Sequence, residues 1–136
     1  MRRLLTSLCL PLSALALAAC GTTATSVSGF SGVKREVAQA IATFQSDSSS
    51  SEQKKICEDD VAAAVVRSLG AVKGCEAAFK AQLGEVDNPE LVVNSVQLGA
   101  RGTTASAAVK SIYEGKSRTG TMLLVKEGGR WRISGL

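Results

Sequence analysis

The chain has 136 residues, 45% of them hydrophobic, with sixteen Lys and Arg against twelve Asp and Glu and no histidine. A formal charge of +4 is too small for the basic footprint of a nucleic-acid-binding protein, and the length is that of one domain. The missing histidine removes the imidazole on which many metal sites and much acid–base chemistry near neutral pH depend.

Arg2 and Arg3 open the chain, Leu4 to Leu17 is largely apolar, and the small residues Ala18 and Ala19 follow, which is the order of an export signal. Thr6, Ser7, Pro11 and Ser13 interrupt the apolar run, which falls short of the about 20 continuous residues that a spanning helix needs. Leu17-Ala18-Ala19-Cys20-Gly21 resembles the lipobox of bacterial lipoproteins, in which the cysteine thiol receives a diacylglyceryl group before the leader is cut away. The resemblance implies a signal peptide over residues 1–19, a lipidated Cys20, and a domain held outside the cytoplasm on a membrane of the cell envelope. Two or more acyl chains anchor a protein where one barely holds it, each buried methylene adding roughly 0.8 kcal/mol.

Setting aside Arg2 and Arg3 leaves fourteen basic residues against twelve acidic ones. Residues 34–90 carry seven basic and ten acidic side chains, and residues 91–136 carry seven and two. A solvated sheet face with lysines guarding its edges accounts for the basic half. Of the four cysteines, Cys9 leaves with the leader and Cys20 is acylated, which leaves Cys57 and Cys75. Two cysteines in an exported domain predict one disulfide. Two thiolates alone do not complete a zinc shell, and the spacing is not the Cys-x-x-Cys of a redox pair. No metal or cofactor is expected.

Gly21 to Gly32 is mostly Gly, Ser, Thr and Ala, so residues 20–32 read as the lipidated cysteine and a flexible tether with a reach of roughly 20 Å. Residues 33–136 read as a single domain. Val33, Val37, Ala40, Ile41 and Phe44 recur at helical spacing and predict an amphipathic helix over Val33 to Gln45. The serine run from Ser46 to Ser51 should break it, with Ser49 and Glu52, or Ser50 and Gln53, forming a capping box for the next helix. Asp47 reads there as a turn residue. Glu52 to Leu69 predicts helix in two pieces, with Glu58, Asp59 and Asp60 at the N-terminus of the second, where the macrodipole favours acids. Three consecutive residues on a helix point three ways, so the triplet does not read as a converging site. Gly70 and Gly74 bracket a predicted loop, after which Cys75, Ala78, Phe79 and Leu83 mark a further helix ended by Gly84.

Beyond Pro89 the period changes to two. Strands are predicted over Leu91 to Ala100, Thr103 to Tyr113, Thr119 to Lys126 and Trp131 to Ser134, the last pair joined by a tight turn at Gly128-Gly129. That turn pairs Lys126 with Trp131 and Leu124 with Ile133, and puts Met122, Leu124, Trp131 and Ile133 on one face. Gly99 to Gly102 and Gly115 to Ser117 read as hairpin turns, since neither lies between a parallel strand and a helix where a phosphate loop would sit. The fold class is α+β, with N-terminal helices packed on a curved antiparallel sheet of about four strands.

Leu124 to Ile133, in the form Leu-Val-Lys-Glu-Gly-Gly-Arg-Trp-Arg-Ile, is similar to the final hairpin of small exported members of the nuclear transport factor 2-like superfamily, and the Cys57 and Cys75 pair looks like one found in lipoproteins with this domain. The resemblance covers roughly Val33 to Leu136 and implies a cystatin-like cone whose mouth holds a small apolar ligand. Some members are isomerases or dehydratases, and many are binding domains without chemistry, so the fold alone does not decide. The acids here fall on helix starts, loops and turns, which disfavours catalysis. The sequence therefore leads to a non-enzymatic, membrane-tethered binding or interaction domain, its partner a small apolar ligand, an envelope component or a protein. The alternative is an isomerase or dehydratase with Tyr113 and Asp59 or Asp60 at the cone mouth.

Overall fold

A computed structural model describes residues 27–84 and 90–136. The leader, Cys20 and most of the tether lie outside those residues. The elements follow the expected order: helices α1 (Gly32–Ser49), α2 (Gln53–Lys55), α3 (Ala63–Ser68) and α4 (Ala71–Leu83), then strands β1 (Glu90–Leu98), β2 (Thr104–Tyr113), β3 (Lys116–Glu127) and β4 (Arg130–Gly135). The strands form an open antiparallel meander in the order β1-β2-β3-β4. Helices pack on one face of this curved sheet, an α+β architecture.

Period-two alternation builds that face. Ala105, Ala107 and Val109 from β2, Met122 and Leu124 from β3, and Trp131 and Ile133 from β4 are all buried, because opposed residues of an antiparallel pair project to the same side. The predicted pairs Lys126 with Trp131 and Leu124 with Ile133 are formed. Gly128 and Gly129 both adopt positive φ, at 56° and 79°, as a two-residue turn with the twist of its strands requires. Between Val93 and Ser95 the register of β1 shifts by one residue. A bulge there bends the strand and lets both Val93 and Val96 face the core.

Helix α1 lies along the sheet with Val37, Ala38, Ile41 and Phe44 buried. It runs through the serines to Ser49, past the expected break, because its buried stripe continues through Gln45 and Ser48. At the other end of the tether stretch, Val27 and Phe30 are partly buried against the core. The predicted capping box does not form, and Glu52 precedes α2 without a side-chain cap.

The expected helix start at Glu58 to Asp60 is corrected as well. These residues close a π-helical turn, Ile56–Asp60, in which the Val61 N–H donates to the Ile56 carbonyl at 3.0 Å. The next helix begins at Ala63, where the chain has first run alongside β4: Val61 bridges Ile133, and the Ala62 N–H donates to the Ile133 carbonyl at 2.8 Å. Pairing with the sheet edge won over the macrodipole. The predicted loop at Gly70 to Gly74 shrinks to a tight entry, with α4 starting at Ala71. A Cβ on Gly74 would meet the Leu69 carbonyl, so glycine here permits the close approach of α4 to the end of α3 rather than breaking a helix. Cys57 and Cys75 form a disulfide with Cα atoms 6.0 Å apart, tying the π turn to α4.

Candidate functional site

Two regions of the inner surface carry chemistry, and they lie at opposite ends of α1. The first is at the β3–β4 hairpin. Glu36, on the first turn and a half of α1, accepts from the Trp131 indole N–H and the Lys126 ammonium, each at 3.3 Å, and Lys126 also stands 5.7 Å from the Trp131 ring centroid. Trp131 is buried while its neighbours Arg130 and Arg132 turn to the π-turn segment, and the cation over the ring is Lys126. Arg130 reaches Asp59 at 2.9 Å and Arg132 donates to the Glu58 carbonyl at 2.7 Å. Glu127 Oε2 accepts from the Ala63 N–H at 3.1 Å, satisfying one of the donors that a helix start leaves open. The acidic triplet is thus the landing site of the last hairpin.

Asp60 is the exception within the triplet. Its neighbours in sequence meet arginine or solvent, whereas Asp60 is buried on the inside of the π turn with Ile56 and Cys57, and its Oδ2 has no hydrogen-bond partner. Desolvation raises its pKa from 3.8 to about 7, helped by the charge of Asp47 and a hydrogen bond with it, and by Asp59, while Arg130 acts the other way. Asp47 also pairs with Lys55 at 3.9 Å. Sequence reasoning missed this pair because it treated the triplet as one unit. The i, i+4 step from Ile56 to Asp60 is the signal that separates the third acid from the other two.

The second region is a cleft of about 290 Å³ between the C-terminal half of α1, the end of α4 and the near ends of β1, β2 and β3. Phe44, Leu83, Leu91, Val109 and Met122 form its apolar walls. Phe44 is held edge-on against Phe79, with ring centroids 6.1 Å apart, a contact worth roughly 0.5–1.5 kcal/mol beyond area burial. Gly120 contributes a bare patch, since a Cβ built there meets nothing within 4 Å. Volumes of this order lie at the lower end for small-molecule sites.

Gln45, Ser48, Ser111, Arg118, Thr119 and Thr121 also line this space. Ser48 is 8% exposed, and its Oγ is buried with no hydrogen-bond partner. Such a group costs about 1–3 kcal/mol when left unsatisfied. Arg118 opposes Ser111 across the β2–β3 ladder, two residues from Gly120 and four from Met122, and so projects from the concave face. Among the described residues it has no carboxylate partner. Sequence analysis began β3 at Thr119 and left Arg118 in a turn. Carrying the Met122, Gly120 alternation back one more step would have put it on the inner face.

The residues named for the alternative enzyme are not gathered here. Asp59 faces Arg130, Asp60 is packed beside Asp47, and Tyr113 ends β2 opposite Lys116. None of the three lines the cleft. Among the described residues, no three His, Cys, Asp or Glu side chains converge to hold a metal ion, and no helix is long and apolar enough to cross a membrane. No family model and no curated protein matches this chain.

Proposed function

We propose that this chain is a lipoprotein anchored through Cys20 to a membrane of the cell envelope, whose extracytoplasmic domain, a member of the nuclear transport factor 2-like superfamily, binds a small apolar molecule without chemistry. The cleft carries the reading. Its walls are apolar side chains, and filling it removes both ligand and wall from water, at about 25 cal/mol per Å² of apolar surface. The tether from Gly21 onward holds the cleft near the bilayer, where apolar molecules concentrate.

The isomerase or dehydratase reading has one observation in its favour, the Asp60 carboxyl with a pKa near 7, the range suited to a general acid or base at neutral pH. Proton transfer also needs a substrate within hydrogen-bond reach, and no Asp, Glu or Tyr lines the cleft among the described residues. The binding reading is therefore preferred.

Native mass spectrometry of the protein released from its own membrane tests it. A small apolar molecule should accompany the parent and be absent from a Gly120→Leu variant, whose side chain enters the cleft. Parent protein that carries no such molecule, and takes up no added decanol, defeats the proposal. The anchor is tested separately: Cys20→Ser should abolish lipidation, leaving the protein released or unprocessed, and a normally lipidated variant would overturn it.

A further inference from the structure

Resting on the cleft being the binding site, we infer that its ligand is a single-chain carboxylate amphiphile, a fatty acid, held with its chain between Phe44, Val109 and Met122 and its head against Arg118. Two observations carry this chemistry. Phe44, Leu83, Leu91, Val109 and Met122 give the cleft apolar walls, which suit an alkyl chain. Arg118 stands on the same concave sheet face as Met122, lines the same space, and has no carboxylate partner among the described residues. A guanidinium presents a planar fork of donors that fits a carboxylate in bidentate fashion.

One cation among the lining residues balances one negative charge, which fits a monoanion better than a doubly charged headgroup. A cationic amphiphile would meet the solvent-exposed Arg118 with like charge, and a neutral one would make no use of it. The space is bounded at Gly120 by backbone alone, so a chain can lie flat across β3.

Competitive native mass spectrometry with equimolar decanoate, decanol and decyltrimethylammonium tests the class. Decanoate should bind about tenfold tighter than decanol, the factor that corresponds to about 1.4 kcal/mol, with decyltrimethylammonium weakest. Arg118→Ala should bring decanoate and decanol to parity, and Arg118→Lys should restore part of the preference. Equal binding of decanoate and decanol by the parent, or a preference that survives Arg118→Ala, overturns the fatty-acid assignment and leaves the apolar site standing. Failure of all three to bind, or binding that Gly120→Leu does not disturb, overturns the site itself.

Discussion

The two ends of α1 meet the same sheet in opposite ways. At the hairpin end, Glu36, Trp131 and Lys126 close the interior, and Arg130, Arg132 and Glu127 stitch β3 and β4 to the π turn and to α3. At the other end, Phe44, Gln45 and Ser48 look across an open space toward Val109, Gly120 and Met122. The same two-layer packing thus supplies a sealed end, where side chains fill the interior and most of their polar tips find partners, the buried Arg132 Nε being an exception, and an open end, where a glycine withholds a side chain. Stability is concentrated in the first and capacity for a ligand in the second, because a cavity survives only where the surrounding layers are already held apart by packing elsewhere.

That contrast predicts a gradient of effects. Trp131→Ala, at the sealed end, should be the most damaging, costing about 3–5 kcal/mol as a fall in the urea midpoint, and it should loosen the Glu36 and Lys126 contacts with it. A loss below about 1 kcal/mol would mean that this end is not the keystone. Replacing Cys57 and Cys75 together by serine should cost roughly 3 kcal/mol. In the parent, both thiols should become alkylatable only after reduction.

Asp60, on the π turn beside Asp47, gives the fold a pH signature. Its pKa is raised from 3.8 to about 7, so the folded state holds a proton that the unfolded chain releases. The associated stability is complete below about pH 4 and is lost as pH rises toward 7. Asp60→Asn cannot ionise and should flatten this slope, making the variant the more stable protein at pH 8 by a few kcal/mol. A parent whose urea midpoint falls from pH 4 to pH 7 by an amount that Asp60→Asn leaves unchanged would show that this carboxyl is not the source. The smallest effect should come from the open end: Gly120→Leu should leave global stability within about 0.5 kcal/mol while filling the cleft. A larger destabilisation would mean that the space there is not free.

Much of the architecture was legible because it rests on local rules. Alternation located the four strands, the Gly128-Gly129 turn set the β3–β4 register, and apolar spacing found α1 and α4. The boundaries that shifted did so where a distant element intervened. Helix α1 outran its serine break because Gln45 and Ser48 extend its inward stripe, and the acidic triplet left its expected helix start because β4 drew Val61 and Ala62 to its edge. Both candidate regions lay in those shifted places. Asp60, Ser48 and Arg118 are ordinary surface residues by type, and nothing in their immediate neighbours marks them as inward-facing.

The amino-acid sequence by itself pointed to the α+β order, the hairpin register and the pairing of Cys57 with Cys75, since periodicity and turn chemistry act within a short stretch and, with Cys9 and Cys20 assigned to the expected leader and anchor, two cysteines admit a single pairing. Only the tertiary structure decided that Asp60 is buried against Asp47, that Gly120 leaves a gap beside Phe44, and that Arg118 lines the same space as Phe44 and Met122. Burial is a property of what packs on top, and for these residues that partner lies far away in the chain.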